Sequence, residues 1–260
     1  MSEFNLNTSE LYDILVKKGI THLFHANTVS TSITFLNNKS LLSRKFVTDN
    51  NLFQTDQYSD EKDKKLDIYN DIFLDFIDIH EEWKKYNFYG PFLFVFSIEL
   101  LKSNQVKTLR ITKKNPVHWR DTETEKDWYY SNLEDFDINY RKGNKLKDVG
   151  SMIILKDIDG KLPLRPNIKK FLFDNPNLFV NYKGEKSYLA NLIGVELKKI
   201  VIDNGFEDIK RDLRHKSGIA RCACWFQYNV MLLRDVKKLR KLFHQKPIEK
   251  KKRIERRSNI

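Results

Sequence analysis

The chain has 260 residues, of which 40% are hydrophobic and 13% aromatic, so it carries enough apolar material for a buried core and is not a wholly disordered chain. No stretch approaches the roughly 18 apolar residues that a transmembrane helix needs, and residues 1–10 lack the charged and apolar regions of a signal peptide. The two cysteines, Cys222 and Cys224, are too close in sequence for a disulfide between them to stabilise the fold. We therefore expect a cytoplasmic protein that does not bind membranes.

The net charge of +12 is concentrated at the C-terminal end of the chain. Residues 234–260 contain twelve Lys and Arg against three acidic residues, whereas residues 49–82 contain eleven acidic residues against three Lys. A dense basic tail favours a nucleic acid over an anionic membrane as the partner, because only Ile248 and Ile254 could anchor the tail in lipid. The alternative is a solvated tail without a partner.

The first 44 residues predict a helix, a strand and a second helix. Thr8 or Ser9 caps the first helix and Gly19 ends it. Residues 20–26 follow as a strand, and the apolar spacing after Thr28 predicts a helix that closes near residue 38. Residues 41–44 then return to the core.

The middle of the chain predicts a polar loop, a helix and two strands. Residues 49–65 are polar and acidic, and they lead into a helix with apolar residues at Tyr69, Phe73, Phe76 and Trp83. Residues 92–98 predict a central strand buried on both faces, with residues 106–112 pairing beside it. The aromatic-rich stretch within residues 113–148 is either partly helical or a binding loop.

The last third predicts further strands and a final helix. Residues 152–158 and 161–164 predict a hairpin joined at Asp159-Gly160. Residues 195–202 and 222–233 predict two more strands, and a basic helix follows. The whole pattern predicts one α+β domain over residues 1–245 and a basic tail over residues 246–260.

Several common site motifs are missing from the chain. There is no GxxxxGK[ST], GxGxxG, HExxH or GxSxG sequence, so the usual nucleotide triphosphatase, Rossmann, zincin and α/β-hydrolase classes lack support. His215, Cys222 and Cys224 are three soft ligands, but their spacing fits no common zinc module. We predict no metal site and interpret the two thiols as neighbours on one face of a strand.

One segment of the chain carries a recognisable motif. Residues 23–28 read Leu-Phe-His-Ala-Asn-Thr, with Ile33 and Leu36 after them and Leu-Leu-Ser-Arg at 41–44. This resembles the opening of ADP-ribosyltransferase folds, most closely the DarT-like branch of toxins that ADP-ribosylate nucleic-acid bases. Residues 227–232, Gln-Tyr-Asn-Val-Met-Leu, are similar to the late strand that carries Gln-x-Glu in that branch.

The resemblance implies an ADP-ribosyltransferase-like fold with a split, mostly antiparallel central sheet flanked by helices, and NAD as a substrate. To cleave the bond between nicotinamide and ribose, an enzyme must bind the nicotinamide amide, orient the ribose and place a cation near the pyrophosphate. The implied residues are His25 and Asn27 for the first two tasks, Arg44 for the pyrophosphate and catalysis, Tyr69 for stacking on nicotinamide, and Gln227 and Asn229 on a facing catalytic strand.

Asn229 stands where the family has its catalytic Glu, and an amide cannot take a proton at neutral pH. Three explanations stay open. The chain is inactive by substitution, or the acceptor is nucleophilic enough without a base, or another acid does the work, such as Glu196, Glu207 or Asp208.

The resulting hypothesis is an NAD-dependent ADP-ribosyltransferase that modifies single-stranded DNA or RNA as a toxin or phage-defence effector, with an antitoxin protein as a further partner. One alternative is a nucleic-acid-binding protein that uses the basic tail and the aromatics between Trp119 and Tyr140. Another is a metal-free RNase that uses His25 or His80. Stabilisation by NAD separates the first hypothesis from the other two.

Overall fold

A computed structural model describes residues 3–57, 59–106, 108–141, 150–214 and 222–244 of the chain. It begins with α1 (Thr8–Lys17), β1 (His22–Asn27), α2 (Val29–Asn37), β2 (Ser40–Leu42) and α3 (Arg44–Asp49). The side chains of Asn7, Thr28 and Ser43 accept backbone N–H groups at the starts of α1, α2 and α3. The predicted order of helix, strand and helix is confirmed.

The middle of the chain departs from the predicted amphipathic helix. Its elements are α4 (Asp60–Lys65), β3 (Ile72–Asp75), α5 (Ile79–Trp83) and β4 (Phe92–Ser97), followed by a 3₁₀ helix (Ile98–Lys102), β5 (Thr108–Ile111), a second 3₁₀ turn (Pro116–His118), α6 (Glu125–Trp128) and α7 (Leu133–Asn139). Tyr69 lies in the turn before β3, and burial along β3 alternates with the period of a strand.

The last third contains β6 (Met152–Lys156), β7 (Lys161–Pro163), β8 (Ile168–Asp174), β9 (Phe179–Tyr182), β10 (Glu185–Tyr188), α8 (Leu189–Asp203), β11 (Lys210–Arg214), α9 (Cys224–Arg234) and α10 (Val236–Phe243). The predicted hairpin of β6 and β7 is wrong, because β7 pairs with β2. The Ser43 N–H donates to the Gly160 carbonyl at 2.7 Å, which directs the turn toward β2 instead.

Two predicted strands are helices. Residues 195–202 belong to α8, whose buried residues Ala190, Ile193, Leu197 and Val201 follow helical spacing. Residues 222–233 were predicted as a strand from their apolar character, but α9 begins at Cys224. Its buried residues Cys224, Tyr228 and Met231 are four and three positions apart, so one face of a helix packs on the core.

A seven-stranded sheet with the order β11-β8-β4-β1-β3-β6-β5 forms the centre of the fold. Only β11 and β8 are parallel neighbours in it, and every other pair is antiparallel. The predicted central strand is confirmed as β4, with Phe92, Phe94 and Phe96 buried. β5 pairs with β6 at the sheet edge, so its predicted place beside β4 is wrong.

The sheet is split between β1 and β3. β1 pairs with β4 along its whole length, but it meets β3 only where Phe24 faces Asp75. Continuing that register would pair Ala26 with Phe73, and the two strands separate there instead. The prediction of an α+β fold with a split, mostly antiparallel sheet flanked by helices is confirmed. The domain boundary at residue 245 stays a prediction, and residues 246–260 lie outside the described residues.

Candidate functional site

The opening between β1 and β3 is a cleft. It contains about 770 Å³ of space, open solvent at its mouth included. Its walls come from the two separating strands and from loops that cover their ends. The lining residues that bear on function are His25, Asn27, Arg44, Asp63, Asp71, Asp75, Tyr89 and Asn115. The sequence motif at residues 25–44 therefore places its three polar residues in one cavity.

His25 sits where the ladder between β1 and β3 is interrupted. Its Nδ1 lies 2.9 Å from the Phe73 carbonyl oxygen, which can only accept, so Nδ1 carries the proton. Burial lowers the pKa of His25, outweighing the opposing effect of that hydrogen bond. The imidazole is thus neutral at pH 7. Its Nε2 is an acceptor, 3.4 Å from the Asn27 side-chain amide.

Asn27 ends β1 and is held by a close backbone approach. Its Oδ1 accepts the Thr28 N–H at 2.9 Å, and its side chain is buried. Gly90 packs against this turn with φ +152°, and a Cβ there would lie 2.1 Å from the carbonyl carbon and oxygen of Asn27. Only glycine permits this contact, so Gly90 sets the position of Asn27 in the cleft.

Arg44 is the first residue of α3 and already has partners. Its guanidinium binds the Asp60 carboxylate with two nitrogens, the Nε contact being 2.9 Å, and its Nη1 donates to the Thr55 carbonyl at 2.9 Å. The side chain is 11% exposed. An anion that bound Arg44 from the cleft would therefore compete with Asp60 for the same guanidinium.

Three carboxyl groups in the cleft, those of Asp75, Asp63 and Asp71, have pKa values that burial raises. Burial raises the pKa of Asp75 to about 8, with repulsion from Asp78 as a smaller cause, and its Oδ1 is buried without a hydrogen-bond partner. Burial also raises the pKa of Asp63 to about 6, partly offset by a hydrogen bond from Ser59. Asp75 is thus mostly protonated at pH 7, and a pKa near the working pH suits proton transfer.

Tyr89 is the cleft's aromatic residue with a hydroxyl group. Its hydroxyl exchanges hydrogen bonds with the Asn115 side chain, and burial raises its pKa to about 12. Tyr69, the residue predicted to stack on nicotinamide, is not among the lining residues. Its hydroxyl instead lies 3.2 Å from Thr48 Oγ1. Neither Tyr89 nor Asn115 belongs to a sequence motif from which its place in the cleft could be predicted.

Gln227 and Asn229 are not brought to the cleft lining. They lie on α9, where residues two apart point to different sides, so the predicted strand with both amides on one face is wrong. Gln227 Oε1 accepts the Tyr86 N–H at 3.2 Å, and the Asn229 amide donates to the Trp225 carbonyl at 2.7 Å. These contacts hold the two side chains in the packing of α9.

The other acids considered from the sequence also lie off the cleft lining. Glu196 is on α8, and Glu207 and Asp208 follow that helix before β11. Asp208 is exposed and pairs with Arg165. The carboxyl groups that the cleft does contain belong to β3, α4 and the turn before β3.

The aromatic stretch proposed for base stacking is part of the core. Trp119, Tyr129, Tyr130, Phe136 and Tyr140 are each at most 2% exposed, so they cannot stack on a bound strand. Of the six aromatic residues in this stretch, Trp128 is half-buried, and one face of its ring already stacks on Trp119. The basic tail, the other half of the nucleic-acid-binding hypothesis, lies outside the described residues, as does His215.

His80, the second histidine considered for an RNase, is buried beside Asp174 and Cys222 and is not a cleft residue. His25 and His80 therefore do not share this site. Within the part of the chain that the structure describes, no helix is both long and apolar enough to cross a bilayer.

Comparison with known proteins finds no matching family profile and no matching curated protein. Among solved structures, the chain is similar to Thermus sp. 2.9 DarT in complex with ADP-ribosylated ssDNA, at 10% identity and a TM-score of 0.45, covering 75% of this chain and 95% of that chain. It is also similar to the same protein with NAD⁺, at 11% identity and a TM-score of 0.43, covering 75% and 96%. A third match, with carba-NAD⁺, has 11% identity and a TM-score of 0.39, covering 76% and 96%.

All three are structures of DarT, the branch that the His25 segment resembles. Because all three TM-scores lie below 0.5, the matches do not assign a site or an activity to this chain.

Proposed function

We propose that this chain transfers ADP-ribose from NAD to a base of single-stranded DNA or RNA. The observation that carries the proposal is the cleft in the split of the sheet, where His25, Asn27 and Arg44 meet a buried carboxyl group, Asp75. The motif residues come from β1 and α3 and Asp75 comes from β3, so their shared cavity does not follow from the spacing of the motif alone.

In the proposed binding mode, the neutral His25 accepts a hydrogen bond from a ribose hydroxyl through Nε2, since Nδ1 is committed to Phe73. The Asn27 amide lies beside it and can bind the nicotinamide carboxamide. Arg44 exchanges Asp60 for the pyrophosphate, and a charge-assisted contact with two phosphoryl groups offsets the lost ion pair.

The reaction breaks the bond between the ribose C1′ and the nicotinamide nitrogen and forms a bond from C1′ to a nitrogen of the acceptor base. Nicotinamide leaves with the electron pair of the broken bond and becomes neutral. The acceptor nitrogen loses a proton, which a base must take. Asp75 is proposed as that base.

The carboxyl group of Asp75 becomes ionised only when NAD is bound. In the free protein its raised pKa keeps it protonated near pH 7, but the bound nicotinamide ring carries a positive charge that favours the carboxylate. Binding of NAD therefore releases a proton from Asp75, and the carboxylate then stabilises positive charge that develops at C1′. The acid becomes a base only when its substrate is present.

The biological proposal follows from the chemistry of the acceptor. A chain that modifies bases would act as a toxin or phage-defence effector, and an antitoxin protein that covers or reverses its action would be a further partner. Expression of the wild-type chain should stop bacterial growth, while Asp75→Asn should permit it.

The test is incubation of the full chain with NAD labelled on the adenylate phosphate and separate pools of single-stranded DNA, RNA and cell protein. We expect label in a nucleic-acid pool, its loss with Asp75→Asn, and unchanged transfer with Asp208→Asn, an exposed acid that is not among the cleft-lining residues. Label appearing only as free ADP-ribose would identify a glycohydrolase and contradict the proposal. A rise in melting temperature with NAD but no label transfer would show a chain inactive by substitution.

A further inference from the structure

His80, Cys222 and Cys224 form a compact group of soft ligands. His80 lies on α5, Cys224 is the first residue of α9, and Cys222 lies two residues before it. Their ligand atoms, one imidazole nitrogen and two sulfurs, all lie within 4.8 Å of one another, with His80 and Cys224 buried and Cys222 half-buried. None of the three lines the cleft between β1 and β3. The cluster is therefore separate from the proposed active site.

The hydrogen bonds around His80 fix which nitrogen faces the sulfurs. Nδ1 lies 2.9 Å from Asp174 Oδ1, and a carboxylate accepts, so Nδ1 carries the proton. Nε2 is then unprotonated in the neutral ring and lies 2.8 Å from Cys222 Sγ. A carboxylate that orients a histidine in this way is the usual outer partner of a metal-bound imidazole.

Asp174 is itself held firmly at the end of β8. It accepts from Arg214 Nε at 3.1 Å and from the Tyr228 hydroxyl at 2.6 Å. Tyr228 lies one turn after Cys224 on α9 and is fully buried. The carboxylate, the imidazole and the two sulfurs are thus connected through three elements of the core.

We propose that His80 Nε2, Cys222 Sγ and Cys224 Sγ bind a zinc ion. Zinc prefers nitrogen and thiolate ligands at about 2.0 to 2.3 Å in tetrahedral geometry, which separates neighbouring ligand atoms by about 3.5 Å. Binding would lengthen the 2.8 Å contact between Nε2 and Cys222 Sγ. Three protein ligands leave a fourth position for water. The ion would tie α5 to the start of α9.

The second sulfur distinguishes this proposal from a reactive cysteine. Cys222, His80 and Asp174 also have the order of a nucleophile, a base and its orienting acid. Such a group needs one thiol only. Cys224 places a second sulfur within the same few ångströms, and a zinc site uses both sulfurs as ligands.

The test is metal analysis of the full chain purified without chelator. Mass spectrometry should find about one equivalent of zinc, and replacement by cobalt should give the thiolate-to-cobalt charge-transfer absorption of a tetrahedral sulfur site. Cys222→Ser and Cys224→Ser should each weaken zinc binding at least about tenfold in competition with a chelator. His80→Gln should do the same, whereas His22→Gln, on an exposed histidine, should not.

Cobalt spectra of the wild-type chain keep the proposal testable even if His80→Gln fails to fold. A wild-type chain that takes up neither zinc nor cobalt would overturn it, as would a Cys222→Ser, Cys224→Ser double variant that retains one equivalent. Rapid alkylation of Cys222 in a chain that binds no metal would identify the nucleophile instead.

Discussion

The cleft around His25 and the cluster around His80 each use one histidine, half-buried in the first and buried in the second, but in different ways. In both, a hydrogen bond fixes the proton on Nδ1 and leaves Nε2 for chemistry. The partner of His25 is the backbone carbonyl of Phe73, which is neutral, whereas the partner of His80 is the Asp174 carboxylate. With a neutral partner, the imidazole is neutral and can accept a hydrogen bond from a hydroxyl group. A charged partner makes the ring a stronger ligand for a cation.

The two regions also differ in how they are built. The His25 cleft exists because two strands separate after a single residue pair, so it depends on the backbone positions of β1 and β3, which the hydrogen bond from His25 to the Phe73 carbonyl joins. The His80 cluster is closed by side-chain contacts between α5, β8 and α9. Changes to the backbone should therefore damage the first region more, and changes of charge should damage the second.

The largest expected effect is that of Gly90→Ala. Its Cβ would overlap the backbone of Asn27, so we expect a loss of about 3 kcal/mol or more in the free energy of unfolding, measured by urea denaturation. Gly184→Ala is the matched control. Its φ of +87° is equally unusual for alanine, but a Cβ there meets nothing within 4 Å, so it should cost only about 1 kcal/mol. Equal losses would show that the contact with Asn27 is unimportant.

Asp75→Asn should stabilise the chain at pH 8 while it abolishes transfer. The folded chain holds the Asp75 proton up to about pH 8, whereas the unfolded chain releases it above its ordinary value of 3.8, so rising pH favours unfolding across that range. Replacing the carboxyl group should remove this loss, so the free energy of unfolding at pH 8 should be higher in the variant than in the wild type.

Thermal unfolding of both proteins between pH 5 and 8 would measure the effect. The gain for Asp75→Asn should shrink as the pH falls toward 5, because the pH then approaches the value of 3.8 below which the unfolded chain also holds the proton. A constant difference between the two proteins across the range would contradict the raised pKa of Asp75.

Arg44→Ala should weaken NAD binding by about 1 to 3 kcal/mol through the loss of a charge-assisted hydrogen bond. The neighbouring Lys45→Ala is the control, because Lys45 is exposed and pairs with Asp49 outside the cleft. Calorimetric titration with NAD measures both variants. If Arg44→Ala binds NAD as tightly as the wild type, the guanidinium stays with Asp60 and the pyrophosphate is bound elsewhere.

Local patterns predicted much of the fold around the cleft. The strands β1 and β4 and the helix α2 follow from short runs with clear boundaries, and the residues 25, 27 and 44 follow from the motif. Asp75 was missed because the acids around β3 suggested the outer face of a helix, although Ile72, Phe73 and Leu74 form a strand-like run between Asp71 and Asp75. Its role depends on which strand lies beside it, and pairing across 50 residues leaves no local signal.

The C-terminal third was harder to predict because its apolar runs are long enough for either a strand or a helix. Residues 222–233 contain three buried residues at helical spacing, Cys224, Tyr228 and Met231, among other apolar residues that are more exposed. The helical spacing of the buried residues was present, but the more exposed apolar residues between them obscured it. The proximity of His80 to the two cysteines had no signal at all, since 142 positions separate His80 from Cys222.

The smallest expected effect comes from Asp174→Asn, which makes the His80 region resemble the His25 region. An asparagine oxygen can still accept the Nδ1 proton of His80, so the ring keeps its orientation while its partner becomes neutral, as the Phe73 carbonyl is for His25. If the charge of the carboxylate strengthens the metal ligand, zinc affinity should fall roughly tenfold, about 1.4 kcal/mol, in a chelator competition.

The control is Asp212→Asn on β11, whose carboxylate pairs with Lys170 and Lys210 and not with His80. The melting-temperature rise produced by NAD should be the same in both variants, because Asp174 does not line the cleft. Unchanged zinc affinity would show that orientation alone is what Asp174 supplies, and a changed response to NAD would show that the two histidine regions are coupled through the sheet.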